Sequence, residues 1–405
     1  MPTAASPHPL VAALTPSARR LPESGIVKVF NYGRSREGLV PLWAGEGDMP
    51  TPAFIADAAA EALAAGETFY TYQRGIPQLR EALAQYFSRL YGRPMGVDEF
   101  FVTGGGMQAI QMAVQLVVGD GDEVVVPSPA WPNFEGAITA RGASVRYVPM
   151  ELRDSGWTLD LDRLFAACGP KTRALFINSP SNPTGWTASA ADLKAILAFA
   201  RQRGLWIIVD EIYGRFYFDT ADGGSAAGGL APSFQTIREA DDRILFVQTF
   251  SKMWAMTGWR MGWLQAPPAL GQAIENLIQY NTSGVAPFMQ RAGVVALSSV
   301  EGEAFAQIQI ARAAEGRKML TDALKPFNSV RFAPPAGAFY QFFAIEGLSD
   351  STEAALRLVD EANIGLAPGA AFGPGGEGHF RICFLRSSAG LATAMQRLTG
   401  WLERR

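Results

Sequence analysis

Short, nearly continuous apolar runs recur along the chain and constrain the fold more than any other feature. They are "FFVT" ending at Thr103, "EVVVP" at Pro127, "ALFIN" at Asn178, "LWIIVD" at Asp210 and "ILFVQ" at Gln248. Segments with helical spacing lie between them. A strand open to water on one face alternates apolar and polar residues, whereas a strand covered on both faces is apolar throughout. The pattern therefore predicts an α/β fold, a mostly parallel sheet with helices on both sides. In such sheets ligands gather beyond the carboxyl ends of the strands. The residues that directly follow these runs become the candidates for function.

The remaining segments fill out this frame. Pro52 to Ala65, after a Thr-Pro start, has helical spacing. "IPQLREALAQYFSRLYG" (Ile76 to Gly92) repeats it and ends on glycine. After about Ala286 one long helical pattern runs towards Leu324, followed by a smaller α+β unit. Residues 1–24, rich in Pro, Ala and Ser, read as a loose arm. "DGGSAAGGLAPSF" (Asp222 to Phe234) reads as a mobile loop.

At 405 residues there is room for two or three cores, or one large core with a satellite. A net charge of −3, with no basic stripe, argues against nucleic acid as a partner. Cys168, Cys383, His8 and His379 are the only cysteines and histidines, too few for a disulfide framework or a zinc site. A reducing, cytoplasmic setting is expected. No secretory leader is visible, and no apolar run approaches the roughly 18 residues of a membrane helix.

Behind the predicted strands stand chemically loaded residues. Asn182 follows in "SPSNPTG", Asp210 and Tyr213 lie in "VDEIY", and Thr249, Ser251 and Lys252 lie in "QTFSK". Three glycines, Gly104 to Gly106, sit between a strand and a helix in "TGGGMQA". Taken singly, each has an ordinary reading: a solvated strand-end carboxylate, an Asn-Pro turn, a lysine reaching for solvent, a tight glycine turn. Lys252 and Arg260, however, stand in "TFSKMWAMTGWRMGW", among aromatics and methionines, where a cation needs a partner or a reaction.

Together with "LWAGEGDMPTP", "YTYQRGIPQLREAL", "SPAWPNFEG" and "EGHFRICF", these motifs span residues 42 to 384. In this order the chain resembles the fold-type I pyridoxal-phosphate enzymes of the class I/II aminotransferase group, the aspartate aminotransferase-like family. "SK" followed by "GWR", with eight residues from lysine to arginine, is the most specific part.

The resemblance implies a large domain (50–290) with a mostly parallel seven-stranded sheet covered by helices. A smaller α+β domain would be built from 1–49, including the N-terminal arm, and 291–405. Lys252 would hold pyridoxal phosphate as a Schiff base and carry the substrate's Cα proton; an apolar pocket lowers an amine's pKa and frees the nucleophile. Asp210 would face the pyridine nitrogen, Asn182 and Tyr213 the phenolic oxygen, and Trp131 would stack on the ring. Gly105, Gly106 and Met107 at a helix N-terminus, with Thr249, Ser251 and Arg260, would bind the phosphate. Tyr70, with Tyr72 as the nearby alternative, would reach the phosphate of a partner subunit, which makes the active unit a homodimer.

Arg381 would take the substrate's α-carboxylate, aided by Asn182 and the backbone of Gly45. Gly47 and Met49 depart from the family's usual "GEPDF". Met107 stands where some aspartate-type enzymes carry lysine, and Ile26, Trp43 and Phe134 are candidates for an apolar side-chain pocket. The implied reaction moves the amino group of an L-amino acid to a 2-oxo acid, with no metal. Carbon–sulfur β-lyases share most of these residues, and a non-catalytic cofactor-sensing domain would share the scaffold. "GGGMQA" also fits G-x-G-x-x-A, but Asp122 and Glu123 precede the next strand instead of ending it, against a dinucleotide fold.

Overall fold

Each apolar run is a strand in a computed structural model that describes residues 8–218 and 229–404. The strands are β1 (Phe100–Thr103), β2 (Glu123–Ser128), β3 (Ser144–Pro149), β4 (Thr172–Asn178), β5 (Trp206–Asp210), β6 (Ile244–Thr249) and β7 (Gly262–Gln265). They form one seven-stranded sheet in the order β1-β7-β6-β5-β4-β2-β3. The β6-β5-β4-β2-β3 block is parallel, and β7 runs antiparallel between β1 and β6.

Alternate residues of β5 show why the runs are apolar throughout. Ile207 and Ile208 point to opposite faces, and each is fully buried in a different hydrophobic layer. Burying such a side chain contributes roughly 1.5–3 kcal/mol, so both helical layers are held by the same strands. The two strands absent from the apolar pattern have physical reasons. β3 is an edge strand whose residues are mostly part-exposed, and β7 has only Trp263 and Leu264 between a glycine and a glutamine.

The helices Ala53–Ala64 and Pro77–Tyr91 lie where the spacing predicts them. Proline opens the second, and Gly92 closes it in the left-handed region at φ 66°. The long helical pattern after Ala286 is corrected: it is two helices, Pro287–Ser298 and Val300–Leu324. Ser299 separates them with an extended backbone, and its Oγ accepts the N–H of Gly302 at 2.9 Å. The N-terminal arm carries two four-residue helices, Pro9–Ala12 and Pro16–Arg19. Of the predicted mobile loop, residues 222–228 lie outside the described residues; Gly229 and Ala231 bond back to Tyr217 and Gly214.

The C-terminal part forms a second, antiparallel sheet of β8 (Val330–Arg331), β9 (Tyr340–Ile345), β10 (Ala367–Pro368) and β11 (His379–Cys383), ordered β8-β9-β11-β10. A short parallel pairing of Val40–Pro41 with Ile364–Gly365 anchors the N-terminal segment to it. The N–H of Cys383 then bonds to the Leu42 carbonyl at 3.0 Å, carrying Trp43 to Gly45 alongside β11. No described helix is long and apolar enough to cross a membrane.

Candidate active site

The carboxyl ends of β4 and β5 are in register, with Asn178 beside Asp210. There the chain encloses a cavity of about 170 Å³. Gly45, Trp131, Asn182, Asp210, Tyr213, Lys252 and Arg381, drawn from segments far apart in sequence, all line it. So do Ile26, Trp43 and Phe134.

Three charged groups dominate this cavity. Lys252 places its Nζ 2.7 Å from the Gly45 carbonyl. Burial pushes its pKa down to about 8, with Cys383, Glu46 and Asp210 pulling back. Asp210 is fully enclosed, and burial pushes its carboxyl up to about 7 against the opposing pull of the Ile212 N–H and Lys252. That N–H donates to Oδ1 at 3.2 Å. Arg381, on the central strand β11, is only 2% exposed. It donates through Nη1 to Asn182 Oδ1 at 3.1 Å and through Nη2 to the Trp43 carbonyl. Its Nε has no partner, and it makes no ion pair with a described carboxylate. A buried guanidinium without an anion is costly, and it faces the cavity as a site prepared for one.

Beside the cavity lies a second cluster. Gly105, at φ 92°, precedes the helix Gly106–Val117. A Cβ on Gly105 would lie 2.5 Å from Nη2 of Arg260, so only glycine lets this guanidinium reach the helix start. Arg260 is itself left-handed at φ 52° and donates to the Thr257 carbonyl at 2.6 Å. Thr249 and Ser251 place their hydroxyl oxygens 2.8 Å apart, and Gly106 abuts Thr249. The N–H of Gly105 is already given to Thr103 at 2.8 Å. Gly106 and Met107, at the first turn of the helix, have N–H groups with no acceptor among the described residues. The Met107 side chain lines a separate outer groove with Asn133.

Tyr70 stands apart from both clusters, 96% exposed, next to Phe69 at 82% and Tyr72 at 64%. Tyr340 and Asn178 line the cavity without having been marked in the sequence. Tyr340 had one signal: a phenol inside the buried strand "YQFFAI" needs a polar partner. Among the described residues no group of acidic, His or Cys side chains is arranged to hold a metal ion.

Residues 38–398 match the family model described as aminotransferase class I and II. The chain is 34% identical to the aspartate aminotransferase of Pyrococcus horikoshii, over 94% of this chain and 95% of that protein. It is also 34% identical to aromatic-amino-acid aminotransferase 2 of Thermococcus litoralis, over 95% and 97%. The solved aspartate aminotransferase of Thermotoga maritima superposes with a TM-score of 0.87 at 30% identity, covering 96% of this chain and all of that one. The chain therefore belongs to the class I and II aminotransferases, the family of enzymes that use pyridoxal phosphate to exchange amino groups between amino acids and 2-oxo acids.

Proposed function

We propose that Lys252 is the residue that carries pyridoxal phosphate and that the chain works as a homodimer in the cytoplasm. The observation that carries this reading is the meeting of three groups in one cavity: an amine lowered to about 8, an enclosed carboxylate and a buried guanidinium with no carboxylate partner among the described residues.

The residues fit the cofactor. Gly105, where a Cβ would strike Arg260, is a cradle for a phosphate, joined by the N–H groups of Gly106 and Met107 and the hydroxyls of Thr249 and Ser251. Asp210 would face the ring nitrogen, Tyr213 and Asn182 the phenolic oxygen, and Trp131 a ring face, all from the lining of the one cavity. The bound cofactor supplies an electron sink for the charge left when the Cα proton departs. Arg381 then orients the α-carboxylate, and the neutral amine of Lys252 takes the Cα proton and returns it across the cavity. Asp210, ionised beside a cationic partner, would hold the proton on the ring nitrogen.

Ile26, Trp43 and Phe134 form an apolar wall, which favours neutral or aromatic donors over aspartate. That preference is overturned if aspartate outruns phenylalanine and methionine at matched concentrations. The exposed segment around Tyr70 adjoins residues 275–284 through Arg74–Glu275 at 2.8 Å and Gln73–Gln279 at 2.8 Å. Tyr280 there is 88% exposed. This aromatic surface suits burial against a second copy, with Tyr70 reaching its phosphate site. We assign 50–290 to the cofactor-binding domain, and 1–49 with 291–405 to the smaller one. The test is Lys252→Ala: the variant should lose transamination, and undiminished turnover contradicts the assignment.

A further inference from the structure

Tyr340 touches Tyr213, Arg381 and Gly45 at once, three of the residues that line the cavity. Its hydroxyl oxygen lies 2.8 Å from that of Tyr213, and both phenols are buried. Its ring carries the Arg381 guanidinium on one face, with the charge 4.6 Å from the ring centre. Its hydroxyl also fills the space a Cβ on Gly45 would need, so the two cannot coexist unmoved. The carbonyl of that same Gly45 accepts from Lys252 Nζ at 2.7 Å. The strand fixes the side chain for this task, since β9 pairs with β11 through Tyr340↔Cys383 and Phe342↔Arg381.

We propose that Tyr340 is a positioning residue with two separable functions. Its hydroxyl holds the Tyr213 hydroxyl in one orientation towards the cofactor's phenolic oxygen. Its ring is the shelf that keeps the Arg381 fork flat for the substrate carboxylate. The inference rests on the assignment of cofactor and carboxylate to this cavity, and the experiment separates its failure from the failure of that assignment.

The two functions divide between two substitutions. Tyr340→Phe keeps the shelf and removes the hydroxyl. Tyr340→Leu removes both. Wild type and both variants are loaded with pyridoxal phosphate, and the absorbance of the bound cofactor is followed against pH. Binding of 3-phenylpropionate, a monocarboxylate without an amine, is measured on the same samples.

A phenolic oxygen that loses a well-aimed donor holds its shared proton more tightly. Tyr340→Phe should therefore raise the spectral midpoint by about half a unit to one unit, the size of one hydrogen bond. Its KM for the amino donor and its affinity for 3-phenylpropionate should stay within about twofold of wild type. Tyr340→Leu should show the same rise and bind 3-phenylpropionate about tenfold more weakly, the scale of a desolvated cation–π contact.

An unmoved midpoint in Tyr340→Phe overturns the proposal, as does equal 3-phenylpropionate binding by Phe and Leu variants. If the Leu variant does not fold, the Phe variant alone decides through its midpoint. A wild type that forms no pH-sensitive band at all overturns the cofactor assignment itself, and with it the role given to Tyr340.

Discussion

Asp210→Asn should make the cofactor-free protein more stable, and by more at pH 8 than at pH 5. Asp210 carries the carboxyl raised from an ordinary 3.8 to about 7 by burial. An acid whose folded pKa is raised destabilises the fold as pH climbs past the unfolded value, and the penalty levels off above the folded one. At pH 5 the gap spans little more than one unit, or about 2 kcal/mol; by pH 8 it spans about three units, or about 4 kcal/mol. Asparagine keeps the acceptor for the Ile212 N–H and removes the charge.

Any packing cost of the amide is the same at both pH values, so the difference between them isolates the ionisation at about 2–3 kcal/mol. Glu211, also pushed up to about 7 by burial, is raised further by the Asp210 charge, so the substitution relieves it as well and widens the gap in the same direction. Denaturant unfolding of cofactor-free wild type and variant at pH 5 and pH 8 measures it. A pH-independent gap, or a wild type that gains on the variant as pH rises, refutes the reasoning. The same substitution should weaken cofactor binding, because the charge that costs stability is the one proposed to face the ring nitrogen.

Other outcomes follow from single residues. With its amine near 8, Lys252 should take up pyridoxal phosphate at a rate that rises about tenfold from pH 6 to pH 7 and levels off above about 8. A stopped-flow profile still climbing past pH 10 would mean that the amine is not desolvated. Arg381→Ala should raise the KM for amino donors by about 100-fold or more, the scale of a lost charged pair in a buried site, with cofactor absorbance unchanged. Gly105→Ala, which forces a Cβ onto Arg260 at a φ of 92°, should weaken cofactor binding by at least about tenfold while the helix behind it still folds; equilibrium dialysis reads this.

The sheet was legible where burial is two-sided, because Ile207 and Ile208 must both be apolar if each faces a helical layer. It was illegible at β3 and β7, where an edge position and a strand of only two apolar residues between Gly262 and Gln265 leave no such run. The break at Ser299 escaped because Ser299 interrupts the helical spacing for only one residue. Lys252, Asp210 and Asn182 could be found because each follows an apolar strand. Arg381 needed the family motif, since its burial depends on contacts with Trp43 and Asn182 that no local pattern encodes. Tyr340 was missed for the same reason: its meaning lies in Tyr213, Arg381 and Gly45, residues far away in sequence.

The most direct test of the central claim is a single half-reaction. Purified protein loaded with pyridoxal phosphate is mixed with one L-amino acid and no 2-oxo acid, and the cofactor's absorbance and the released product are followed together. Conversion of the bound cofactor to its pyridoxamine form, with one equivalent of the matching 2-oxo acid per site, is the predicted result, and Lys252→Ala should show neither. Release of pyruvate and ammonia without pyridoxamine, or a cofactor band that no amino acid changes, would contradict it.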